Sequence, residues 1–60
     1  MKNFTNYILV GKDGKVREII NTHDINFLKE YDKAVRLGWT IYKGEQNEGY
    51  VALKARLNLR

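Results

Sequence analysis

Sixty residues, a net charge of +4 and no cysteine bound what this chain can be. A chain of this length makes one domain that buries only about 60% of the surface its unfolded form exposes, and without cysteine neither disulfides nor thiolate metal sites can staple it. A single histidine leaves little for a metal cage, so no cofactor is implied, self-association is the remaining staple, and a homodimer is expected.

The N-terminal segment lacks a signal-peptide core, and no apolar run reaches the length of about 18 residues that a membrane span needs. The chain therefore reads as one cytoplasmic domain over residues 1–60 with no membrane contact. Residues 4–11, FTNYILVG, are rich in aromatic and β-branched types and read as a first strand. Asp13-Gly14 suits a tight hairpin turn, and Val16 to Ile20 form the second strand. A two-residue loop pairs Ile8 with Ile19, whereas a three-residue bulged loop brings Ile8 nearer Ile20. Both parities of strand 1 are partly apolar: Phe4, Ile8 and Val10 on one, Tyr7 and Leu9 on the other.

Thr22 or Asp24 is the expected N-cap of a helix whose face is Phe27, Leu28, Tyr31, Ala34 and Val35, at the i, i+3, i+4, i+7, i+8 spacing. Gly38 is its C-terminal stop. Trp39 to Lys43 then read as a third strand, with Trp39 packed beneath the helix, and GEQNEG (44–49) as a polar hairpin loop. From Gly49 to Arg60 the apolar residues Val51, Leu53, Ala55, Leu57 and Leu59 alternate with Tyr50, Ala52, Lys54, Arg56, Asn58 and Arg60, the nearly complete period-2 signature of a fourth, half-buried strand. A hairpin pairing Trp39 with Leu53 and Ile41 with Val51 completes the expected fold. That fold is α+β: a small ββαββ domain, a four-stranded antiparallel sheet with one helix packed on one face.

One helix leaves the other sheet face uncovered, and in this register it presents Tyr42, Tyr50, Lys54 and Arg56, with Tyr7 or Leu9 as neighbours. The excess positive charge lies at the two ends, with Lys2 and Lys12 in one and Lys54, Arg56 and Arg60 in the other. Tyrosine and arginine favour buried protein contacts, and aromatic rings interleaved with basic side chains also suit single-stranded nucleic acid. Glu45 and Glu48, in the acidic loop, are second-rank partner-binding candidates. His23-Asp24 lacks a third member for a triad or metal site and reads as capping. Gly11 and Gly14 fit a hairpin turn and match no phosphate-binding loop.

Nothing here assembles catalytic or metal-binding residues, so a non-enzymatic binding protein is expected, acting stoichiometrically on a larger host protein or ribonucleoprotein. Its size, Lys/Asn-rich composition and lack of a catalytic set give it the look of a small stand-alone phage or mobile-element protein, and an uncovered sheet face with charged loops but no chemistry makes an inhibitor or regulator of a host defence factor the expected concrete form. The alternative is a single-stranded nucleic-acid-binding protein using the aromatic and basic sheet face.

Overall fold

The computed structural model describes residues 3–59. Its elements are β1 (Asn6–Val10), β2 (Val16–Asn21), α1 (Phe27–Leu37), β3 (Thr40–Lys43) and α2 (Tyr50–Arg56). The three strands form one antiparallel sheet in the order β2-β1-β3. The fold is α+β as expected, but it has three strands and two helices rather than four strands and one helix. Lys2 and Arg60, two of the basic terminal residues, lie outside the described residues.

The expected fourth strand is helix α2. Leu, Ala, Lys and Arg dominate residues 52–57, and these are strong helix formers, whereas only Tyr50 and Val51 favour a strand. The apolar alternation fits a helix as well, because Leu53 and Leu57 also stand four apart. β3 consequently pairs with β1 and not with the C-terminal segment, through Tyr7–Lys43, Ile8–Tyr42, Leu9–Ile41 and Val10–Thr40. The pairs expected between Trp39 and Leu53 and between Ile41 and Val51 do not form.

β1 is the central strand and is covered on both faces, which is why both of its parities are apolar. Leu9 packs with Ile20 and Ala34, with Tyr7, Phe27, Trp39 and Ile41 around them, beneath α1. Ile8 and Val10 pack with Leu53, together with Val16, Tyr42, Leu57 and Leu59, beneath α2. The hairpin pairs Ile8 with Ile19, and the register shifts between Leu9 and Val10 so that Val10 meets Val16. Gly14 closes the turn from φ +82°, donating to the Gly11 carbonyl at 2.9 Å.

β2 and β3 run parallel on either side of β1, and α1 connects them. The residue preceding α1 is Asn26, whose side chain makes no capping bond. Asp24, an expected cap, instead accepts from the Asn21 N–H at 2.9 Å and so closes the turn after β2. At the other end Gly38 adopts φ +73° and donates to Val35 at 3.2 Å, as a left-handed helix stop should.

Candidate functional site

The residues expected to form one basic and aromatic sheet face are distributed around α2. Tyr42 projects from β3 toward α2 and is half-buried against the Ile8–Val10–Leu53 cluster. Tyr50 and Lys54 stand one turn apart on one flank of α2, Tyr50 52% exposed. Arg56 projects from the opposite flank. Tyr7, a possible neighbour in the expected row, lies on the other side of the sheet with Phe27 and Tyr31, their ring centroids 5.2 and 5.8 Å away. The open stacking platform is therefore absent, since α2 occupies the face on which it was expected.

Glu48 and Arg56 do come together. The Arg56 guanidinium donates through Nε to Glu48 Oε2 and through Nη2 to Oε1, both at 3.0 Å, and the Glu45 N–H donates to Oε1 at 2.9 Å. Arg56, followed by the Glu45 backbone, draws the Glu48 carboxyl down to about 2, well below its ordinary value. A bidentate pair of this geometry is directional as well as charged, so it fixes α2 to the loop after β3. Arg56 is thereby neutralised within the fold, and Glu48 acts as a brace. Glu45 remains exposed in that loop.

The loop is tied down at further points. Asn6, buried on the α2 face, donates from Nδ2 to the Glu48 carbonyl and accepts from Asn21 Nδ2, both at 2.9 Å. Asn47, at φ +62°, accepts from the Phe4 N–H at 2.9 Å and donates its own N–H to the Phe4 carbonyl at 2.7 Å. Gly44 is buried where a Cβ would stand 2.9 Å from both the Asn6 carbonyl oxygen and Leu53 Cδ2. Only glycine allows this close approach. The first turn of α2 is thus presented by a braced loop.

Apolar exposure is the feature the sequence reading missed. Val51 is 66% exposed beside Tyr50 on α2, while Leu28 and Val35 on α1, assigned from their spacing to the core, are 78% and 57% exposed. Ile25 precedes α1 fully in solvent. The apolar arc Ala34, Phe27, Tyr31, Val35, Leu28 has the width of an ordinary core-facing stripe, so its spacing carries no sign that the Val35–Leu28 end lies in solvent.

On its other flank α1 turns Glu30 and Lys33 toward β2. Lys33 Nζ lies 2.7 Å from Glu30 Oε1 and 3.1 Å from Glu18 Oε2. Those contacts, Glu30 foremost, raise the Lys33 pKa, and Lys33 lowers that of Glu30. The open groove beside them, lined by Glu18, Ile19, Ile20, Asp24, Ile25, Asn26 and Glu30, has two of its carboxylates paired with that lysine. Among the described residues no cluster of three or more His, Cys, Asp or Glu is placed to hold a metal ion, and no helix is long and apolar enough to cross a membrane.

No family model, curated protein or solved structure matches this chain. The cations that form no ion pair among the described residues are Lys12, Lys15, Lys29, Lys43 and Lys54. They are spread over the β1–β2 turn, α1, β3 and α2 and form no single stripe. The arrangement best suited to contact with another molecule is accordingly the outer surface of α2, where exposed Tyr50 and Val51 stand beside Lys54 on a helix held by Leu53 and by the Glu48–Arg56 pair.

Proposed function

We propose that this chain is a small non-enzymatic binding protein that acts stoichiometrically by occupying a site on a larger protein or ribonucleoprotein. Its concrete form is an inhibitor or regulator of a host factor, of the kind that phages and mobile elements direct against host defence. The observation that carries the reading is the exposure of Tyr50 and Val51, 52% and 66%, on a short helix whose loop is braced from several directions. Large apolar side chains held rigidly in solvent cost little further ordering when a partner covers them, and aromatic anchors of this type dominate protein interfaces. Lys54 on the same flank supplies a charge for orientation, and Glu45 stays exposed in the loop that precedes α2.

The test is affinity capture from a host lysate with the wild-type chain and with Tyr50→Ala/Val51→Ser, followed by reconstitution with the purified target. A one-to-one complex per chain, weakened at least tenfold by the double substitution, supports the reading. Capture that disappears on nuclease treatment and weakens steeply with salt would move the target to nucleic acid. A complex that the double substitution leaves intact would refute the α2 surface.

A further inference from the structure

The exposed side of α1 lies above the open edge of β3. Glu30 and Lys33 fix one flank of the helix over β2 through Glu18, while Phe27 and Tyr31 rest on Tyr7 of central β1. Continuing round the helix in the same sense, Tyr31, Val35 and Leu28 come to the side of β3. The sheet below supplies unpaired backbone groups along the same side. Gly44 donates to the Asn6 carbonyl at 2.8 Å, so by antiparallel alternation Ile8–Tyr42 and Val10–Thr40 exchange the β1–β3 bonds. The N–H and C=O groups of Ile41 and Lys43 then point away from β1 to the open edge. An edge strand and an exposed apolar ridge therefore share one flank of the molecule, an arrangement that invites a further strand.

We propose that this flank is the seam of a symmetric homodimer, in which two β3 strands pair antiparallel about a two-fold axis at Tyr42 and make a six-stranded sheet. The register follows from the groups available. With Tyr42 on the axis, Ile41 of each copy exchanges both backbone bonds with the partner's Lys43. Shifting the axis to Lys43 sets two lysines directly opposite one another, which is unfavourable. Shifting it to Ile41 requires the Trp39 N–H, which already donates to Ala34 at 2.9 Å.

The same axis sets the two α1 helices antiparallel on one face of the sheet. Three strand spacings, about 14 Å, separate the two β1 strands beneath them, a gap for long side chains such as Leu28 and Tyr31 of both copies. Leu28 of one helix meets the partner's Val35. Asp32 and Arg36 pair at 2.8 Å within the chain, and Lys43 of the edge strand, which forms no ion pair among the described residues, lies opposite the partner's Ile41. A standard interface takes about 800 Å² per partner, under a fifth of the 4492 Å² that this chain exposes.

The second copy is favoured over another occupant by what the fold lacks as well. Its fully or nearly buried apolar residues are Ile8, Leu9, Val10, Ile20, Ala34 and Leu53, and without disulfides a core this small gains from oligomerisation. The seam is independent of what binds α2.

Sedimentation equilibrium across the micromolar range tests it, with the wild type and Leu28→Lys/Val35→Lys compared. Both substituted positions are exposed, so far-UV circular dichroism should be unchanged. The wild type is expected to be a dimer, and the double variant to have a dissociation constant raised at least about 100-fold. Hydrogen exchange adds an independent reading: the Ile41 and Lys43 amides should be protected at concentrations where the dimer forms and exchange faster on dilution. A wild type that stays monomeric throughout, a double variant that dimerises undiminished, or a dimer whose Ile41 and Lys43 amides exchange freely would each overturn the seam.

Discussion

Leu53→Ala and Val51→Ala, made separately, distinguish the helical C-terminal segment from the strand that its alternation suggests. In a strand the two residues share a face and both substitutions remove core. In α2 Leu53 is fully buried while Val51 is 66% exposed. Truncating Leu53 loses the carbons beyond Cβ, about 2.4 kcal/mol at about 0.8 kcal/mol each, and the residual cavity brings the loss to about 3 kcal/mol. A chain of 60 residues has a total stability of about 3–9 kcal/mol, so the variant is marginal, with its melting temperature lowered by about 12–24 °C. Val51→Ala changes stability by less than about 0.5 kcal/mol, since a better helix former replaces an exposed β-branched residue. Urea unfolding followed at 222 nm gives both values. Trp39, packed beneath α1 on the opposite face, reports by fluorescence whether α2 leaves alone or takes the domain with it. Equal losses above about 1 kcal/mol from both substitutions would refute the helix.

The Glu48–Arg56 brace carries a defined pH dependence. The carboxyl titrates at about 2 in the fold against an ordinary value of 4.5, so its contribution is complete above the ordinary value and is lost as pH falls from 4.5 toward 2. Glu48→Gln is expected to melt below the wild type at neutral pH, and the gap between the two should close across that acid window; a gap independent of pH would remove the ion pair as its cause. Gly44→Ala drives a Cβ into the Asn6 carbonyl and Leu53, at a cost of about 1–3 kcal/mol. Chemical denaturation measures that cost, and a neutral result would show that the loop can shift away from β1.

The first hairpin and α1 were legible because each rests on two concordant signals. In the hairpin these are Asp13-Gly14 and the β-rich runs on either side; in α1 they are the apolar spacing and the Gly38 stop. The C-terminal segment was misread because its periodicity is degenerate: Leu53 and Leu57 satisfy a strand and a helix alike, and composition favours the helix. The corrective signal lay elsewhere in the chain. Tyr7-Ile8-Leu9-Val10 is an unbroken apolar run, which marks a strand buried on both faces, and a strand of that kind needs a second covering layer that a one-helix fold does not supply. The expected site inherited the same error. Its Tyr50, Lys54 and Arg56 were arranged by strand parity, and helical spacing instead turns exposed Tyr50 and half-buried Lys54 to one flank of α2 and Arg56 to the other, where it pairs with Glu48 of the loop. Tyr42, expected outside, lies beneath α2.

The two exposed apolar surfaces stand on opposite faces of the sheet, and this separation has a functional consequence. A two-fold axis perpendicular to the sheet at Tyr42 keeps each layer on its own side, so both copies of α2 point the same way while the two α1 helices close the seam behind them. Self-association through the proposed seam would leave Tyr50 and Val51 free, and the dimer would present them twice. A repetitive target, or one that itself has two-fold symmetry, meets both copies, and the second contact forms at the high effective concentration set by the first. An isolated site engages one copy with single-site affinity. Substitutions at Leu28 and Val35 therefore reduce avidity for a paired target and leave a single site unaffected, whereas substitutions at Tyr50 and Val51 weaken both. That difference separates the role of the seam from the role of the binding surface.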